Sequence, residues 1–271
     1  MLIRRMILAV IAAFASLGVI GSLQAGPVTD KALEAAIRAT LHEPTGDITD
    51  EKLLKVFILE APNKGIKSLA GLEKCKNLAL LRLTGNLVAD LAPLKGLANI
   101  QSLDLANNKI ADLKPLSGLV KLQYVELSGN QIADISPLAG LTALNAAYLG
   151  NNKIADLSAV KNLSKLASLS APKNQITSIA PLASITRLTT LDLSENQIVD
   201  LSPLAKQTDL RLLILEKNKI SELKPLVDWC KSDTARRFAP FLRLYLAGNP
   251  LDGGAQPALE ELKTIGVRKE S

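Results

Sequence analysis

The sequence predicts an α/β repeat solenoid, with a parallel sheet on its concave side and 3₁₀-like turns on its convex side. Three observations carry that prediction. First, Asn86, Asn108, Asn130, Asn152, Asn174, Asn196 and Asn218 recur every 22 residues without a slip, and Asn249 follows 31 residues later, so the last unit holds a nine-residue insertion. A fixed period in this range marks stacked coils. Second, the apolar spacing changes within each period. Leu103 and Leu105 alternate with polar neighbours, as a half-buried strand does, whereas Ile110, Leu113, Leu116 and Leu119 are three apart, the spacing that eclipses side chains in a 3₁₀ turn. Third, Pro93, Pro115, Pro137, Pro181, Pro203 and Pro225 stand where each convex turn should begin, a place where a fixed φ helps and a missing N–H does little harm; Ala159 interrupts the series. No single coil can bury its leucines alone, but stacked neighbours make one continuous core.

In chain order, Met1 to Ala25 is set apart. Arg4 and Arg5 precede an apolar run from Met6 to Ile20, and Leu23-Gln24-Ala25 offers a cleavage site, so residues 1–25 read as a secretory signal peptide, with an uncleaved membrane anchor as the alternative. Residues 26–55 are expected to cap the stack. Leu33, Ala36, Ile37 and Leu41 share one helical face behind Thr29 or Asp30 as N-cap, and a second short helix is expected from Asp50 to Lys55. Residues 56–252 then hold about nine coils, the first degenerate, with Lys64 where asparagine would stand, and the insertion at 227–240. Residues 253–271 form the second cap: Leu259, Leu262 and Ile265 line one side of a helix, and Arg268 to Ser271 are expected to fray.

The recurring asparagines have a physical reason. An amide carries two donors and an acceptor, so a buried copy satisfies backbone groups that the turn after each strand leaves unpaired. The expectation is a ladder of amides through the stack, from Asn86 to Asn249. The unit around it, LxxLxLxxNxIxDLxPLxxL, resembles the 22-residue class of bacterial leucine-rich repeats found in the internalins. About seven consecutive units match, and degenerate units extend the likeness over roughly Phe57 to Asp252. The resemblance implies a curved solenoid whose concave sheet binds another macromolecule, and it implies no catalytic residues.

Counted from each unit's first leucine, positions three and five should face outward from the concave sheet. Among them Arg82, Asp104, Tyr124, Glu126, Tyr148 and Asp192 are candidate contacts, with Tyr124, Glu126 and Tyr148 clustered in mid-sheet. Leu212, Ile214 and Tyr245, flanked by Arg243, should form an exposed apolar patch near the C-terminal end. Tyrosine and arginine are favoured binding anchors, and exposed apolar clusters mark contacts; the alternative is cross-strand pairing that stabilises the sheet. In the insertion, Trp229, Arg236 and Arg237 are candidate partner contacts, although Val227, Cys230, Thr234 and Phe238 also suit one side of a helix packed on the convex arm. Asp90, Asp112, Asp134, Asp156 and Asp200 form a row of single carboxylates better suited to capping turns than to converging on a cation.

Other function classes find little support. Removing residues 1–25 takes two of the 32 basic residues and none of the 26 acidic ones, leaving a net charge of +4, spread along the chain; with aromatic residues at 3%, nucleic acid is not expected as a partner. Cys75 and Cys230 fall seven coils apart, more than ~30 Å at strand spacing, so they should be buried thiols and not a disulfide. His42 is the only histidine and has no nucleophile or carboxylate pair in a recognisable pattern beside it. No metal and no cofactor is implied. The reading is therefore an exported, non-enzymatic, monomeric protein, periplasmic or secreted, that binds a protein or glycan through its concave face and has no membrane span once the signal is removed. The alternative is an envelope-tethered scaffold without a dedicated ligand.

Overall fold

The computed structural model describes residues 28–270, and the expected signal segment lies outside them. Ten three-residue strands form one parallel sheet in sequence order. They are β1 (Ile58–Glu60), β2 (Leu80–Arg82), β3 (Ser102–Asp104), β4 (Tyr124–Glu126), β5 (Ala146–Tyr148), β6 (Ser168–Ser170), β7 (Thr190–Asp192), β8 (Leu212–Ile214), β9 (Arg243–Tyr245) and β10 (Arg268–Glu270). From β1 to β8 each residue pairs with the one 22 positions on, as Leu103 does with Val125. Across the insertion the register holds, with Leu213 opposite Leu244. From β1 to β9 each strand buries its central side chain and turns its two flanking ones to the concave side, which is the alternation the sequence shows.

The convex arm is built of 3₁₀ turns such as Lys114–Leu116 and Ser136–Leu138, with proline at the first or second position. At Ala159 the turn survives without proline, over Ser158–Asn162. Leucines and isoleucines from every coil join one buried cluster that runs from Val28 to Val267.

Both ends are covered. Helix α1 (Lys31–Leu41) begins at Asp30, and α2 (Asp50–Leu53) begins at Thr49 and stops two residues short of the expected Lys55. Asp30 does more than cap. Its Oδ1 accepts from the N–H groups of Ala32 and Leu33 at 2.9 and 3.1 Å, and its Oδ2 accepts from those of Lys67 and Ser68 at 2.8 and 3.1 Å. One carboxylate thus fastens the cap helix to the first coil. At the other end, α3 (Lys224–Lys231) occupies the insertion and α4 (Ala255–Ile265) ends at Gly266, whose φ of 111° suits glycine. The expected fraying of the tail is corrected. Val267 is buried and the Arg268 N–H donates to the Leu242 carbonyl at 2.9 Å, so Arg268–Glu270 adds a tenth strand. Residues 28–270 therefore bury one continuous core closed at both ends, and form a folding unit. Among them no helix is long and apolar enough to cross a membrane.

Candidate functional site

The parallel register sets the concave face. One row across the strands reads Glu60, Arg82, Asp104, Glu126, Tyr148, Ser170, Asp192, Ile214 and Tyr245. Its neighbour reads Leu80, Ser102, Tyr124, Ala146, Ser168, Thr190, Leu212 and Arg243. Tyr124 and Tyr148 meet on a diagonal, ring centroids 5.5 Å apart and tilted by 44°. Burial first, then the nearby Glu126 and Asp104 carboxylates, raise the Tyr124 phenol above its usual range, so it stays neutral. Neither tyrosine hydroxyl has a hydrogen-bond partner among the described residues.

The charged candidates are more engaged. Arg82 lies between Glu60 at 3.8 Å and Asp104 at 3.4 Å. Asp104, Glu126 and Asp192 each turn one oxygen back onto the backbone two residues on, at Ala106 (3.1 Å), Ser128 (2.8 Å) and Ser194 (3.0 Å). Arg243 donates to the Tyr245 hydroxyl at 2.7 Å, and its guanidinium Nε stands 3.4 Å from Glu270. Leu212, Ile214 and Tyr245 come together, but they are half-buried rather than fully exposed, because adjacent strands shield their flanks.

The eight asparagines share one geometry. In each, Oδ1 accepts an N–H of the preceding coil and Nδ2 donates to one carbonyl of its own coil and one of the preceding coil. For Asn130 the partners are Ile110 N at 3.0 Å, Leu127 O at 2.9 Å and Leu105 O at 3.0 Å. Asn108 and Asn218 repeat the pattern, and Asn249 keeps it across the insertion, through Ile220, Leu246 and Leu215. Asn86, Asn152, Asn174 and Asn196 bond in the same way. The residue before each asparagine is left-handed, which sequence reasoning missed. Asn107 has φ 55°, Gly129 71° and Lys217 52°. A Cβ at Gly129 would sit 2.2 Å from Asn107 Oδ1, so the asparagine of one coil occupies the space left by glycine on the next. The alternation of Asn63, Gly85, Asn107, Gly129 and Asn151 was the available signal.

In the insertion Trp229 is a correction. It is 3% exposed, stacks on Phe238 with centroids 4.6 Å apart, and its Nε1 donates to the Gln207 carbonyl at 2.8 Å, so its ring is spent on packing the insertion against the stack. The helix ends at Lys231, and Thr234 is exposed instead of lying on the packed side. Asp233 folds the chain back by accepting from the N–H groups of Arg237, Phe238 and Ala239 at 2.8, 2.8 and 2.9 Å. Arg236 and Arg237 are exposed, Arg237 facing Asp209 at 3.7 Å.

The remaining candidates have structural surroundings. Asp90, Asp112, Asp134, Asp156 and Asp200 each accept from the N–H two residues on, at 2.7–2.9 Å. Among the described residues no group of three His, Cys, Asp or Glu is placed to hold a metal. Cys75 and Cys230 are unpaired and buried, and burial pushes both thiols up to about 12, so they remain protonated. His42 ends α1 in a left-handed conformation, exposed.

The leucine-rich repeat family model matches residues 98–140 and 164–206. Internalin C2 of Listeria monocytogenes, a crystal structure, is 35% identical over 75% of this chain and 91% of its own, with a TM-score of 0.72. A leucine-rich repeat protein of Leptospira interrogans shares the fold alone, at 21% identity and a TM-score of 0.64, over 74% of this chain and 56% of its own. No curated protein matches the chain in a sequence search. Period, register and identity agree: the chain belongs to the internalin-like family of bacterial leucine-rich repeat proteins.

Proposed function

We propose that this is an exported, non-enzymatic binding protein whose concave sheet presents Tyr124 and Tyr148 to a protein or glycan, in the periplasm or outside the cell. The single observation that carries the proposal is that pair, in contact at 5.5 Å, with hydroxyls left free in mid-sheet while the surrounding charges are engaged within the fold. A preordered sheet loses little entropy on docking, and two aromatic rings supply contact area with few torsions to freeze. Leu212 and Ile214, on the C-terminal side, extend the same face. The leucine-rich repeat fold is in general a protein-binding fold, and export follows from reading residues 1–25 as a signal.

The test uses residues 28–271 as bait against envelope and extracellular fractions, beside a variant with Tyr124, Tyr148, Leu212 and Ile214 all changed to Ser. A partner retained by the wild type and lost by an equally folded variant supports the concave face. Equal retention by both removes it.

A further inference from the structure

The two rims of the solenoid differ in what their charges do. On the downstream rim, where the chain leaves the strand for the convex turn, Asp90, Asp112, Asp134, Asp156 and Asp200 each cap a backbone N–H, so those charges are part of the fold. On the upstream rim, where the chain returns to the strand, the charges are basic and have no such use. Lys121, Lys165 and Arg187 occupy the last position of their coils; Lys95 and Lys161 project four residues earlier in theirs, and Lys206 three residues earlier. All six are exposed, and none forms an ion pair among the described residues. The coils are stacked tightly along this rim, with Asn99 Nδ2 donating to the Lys76 carbonyl at 2.9 Å and Lys121 Nζ to Asn99 Oδ1 at 2.8 Å. The acidic residues within the same stretch of the coils are Glu73, Asp209 and, in the insertion, Asp228 and Asp233; Asp228 pairs with Lys224, and Asp233 accepts from the N–H groups of Arg237, Phe238 and Ala239.

The same rim carries exposed apolar side chains. Among the described residues the phenylalanines are Phe57, Phe238 and Phe241; Phe238 is buried, whereas Phe57 is 56% and Phe241 57% exposed. Phe57 directly precedes β1 and Phe241 stands just before β9, with the Arg211 guanidinium 5.5 Å from its ring centroid. They are eight strand spacings apart, roughly 38 Å along the sheet. Val120, beside Lys121, is 58% exposed.

We infer that this rim lies flat on an anionic lipid bilayer, with the basic side chains over the headgroups and Phe57 and Phe241 inserted at the two ends. Each basic side chain near an anionic surface adds attraction, and a few apolar side chains reaching the headgroup boundary add anchoring that salt does not screen. A soluble polyanion meets the cations equally well but gives the exposed phenylalanines nothing to do, and the bilayer accounts for both. Lying on its rim, the solenoid keeps its concave face open to solution.

The experiment is flotation of residues 28–271 with vesicles of phosphatidylglycerol and phosphatidylcholine, or of phosphatidylcholine alone. Three variants accompany the wild type: a rim variant (Lys121, Lys161, Lys165 and Arg187 to Gln), a charge-matched control (Lys109, Lys153, Lys173 and Lys219 to Gln), and Phe57→Ser with Phe241→Ser. The wild type and the control should float with the anionic vesicles and stay behind with the neutral ones. The rim variant should partition at least about tenfold more weakly, and the phenylalanine variant should lose the binding that remains at high salt. Equal flotation of rim variant and control overturns the inference, as does absence of wild-type binding to anionic vesicles. Separation of the two variants on an immobilised acidic polysaccharide but not on vesicles assigns the rim to a soluble polyanion, and also overturns it.

Discussion

The coils of β2 to β7 and the single stretch from Lys224 to Phe241, which closes the coil of β8, solve the same problem in opposite ways. Each regular coil closes with identical parts: an asparagine amide, a left-handed residue before it, an aspartate or serine cap and a short 3₁₀ turn. The last coil closes with parts that occur once. Gln207 fills a leucine position and donates to the Leu182 and Ile185 carbonyls; Trp229 covers it and Asp233 reverses the chain. Even so, Asn249 bonds across this stretch as its seven predecessors do. The stack therefore depends on the register of the strand and amide, and tolerates any convex arm that fills the volume behind them. That also explains why the longest irregular segment sits on the convex side, where the concave rows are undisturbed.

The comparison breaks most visibly at Trp229. Its ring is sandwiched between Phe238 and the seventh coil, and Trp229→Ala leaves a cavity as well as an unpaired Gln207 carbonyl. A loss of about 3–5 kcal/mol is expected. Urea unfolding followed by circular dichroism measures it, and a change below ~1 kcal/mol would mean that the insertion helix is an ornament on the stack.

In a regular coil the corresponding change is Asn130→Ala, which strands Ile110 N, Leu127 O and Leu105 O. About 1–3 kcal/mol is expected, less than for Trp229 because no large volume is vacated. Hydrogen exchange sharpens the contrast. The Ile110 amide should lose protection while those near β8 keep theirs, since each coil contacts only its neighbours. Uniform loss of protection along the chain would show that the coils unfold as one.

What was legible in the sequence follows the same division. Wherever a role repeats, seven copies average out the local exceptions, so the strands, the convex turns and the fold class could be read without structure. Trp229 was misjudged because a lone tryptophan among arginines offers no second copy for comparison, and its burial depends on Gln207, 22 residues earlier and itself out of pattern. β10 was missed for a related reason: Arg268, Lys269 and Glu270 carry no apolar alternation, and it is the pairing of their backbone with β9, begun by the bond from Arg268 to Leu242, that places them. At the candidate site the tyrosine pair was found from position alone. The segregation of charge was not, because a basic excess spread evenly along the chain becomes a stripe only when the coils are stacked.

The N-terminal cap offers the smallest expected effect and a clean sign. Asp30, like Asp233, is a single carboxylate joining segments that the repeat does not connect. Burial alone would raise its pKa, but the N–H groups of Lys67, Leu33, Ser68 and Ala32 outweigh burial and hold it below the ordinary carboxylate range. A group with a depressed folded pKa contributes stability that is fully present above its unfolded pKa, ~3.9, and is lost as pH falls through the folded value. Asp30→Asn keeps an N-cap acceptor for the helix but removes the charge and turns the other oxygen into a donor facing Lys67 or Ser68, so about 0.5–1.5 kcal/mol should be lost at neutral pH, the scale of one hydrogen bond. In acid the wild-type carboxyl is itself neutral, and the gap between the two proteins should close. The Asp233 carboxyl, depressed for the same reasons, titrates in both proteins and cancels in the difference. A gap in urea midpoint that stays constant from neutral pH down through the carboxylate range would assign the Asp30 effect to shape alone, and would leave the last coil as the one place where a charge holds an end of the stack.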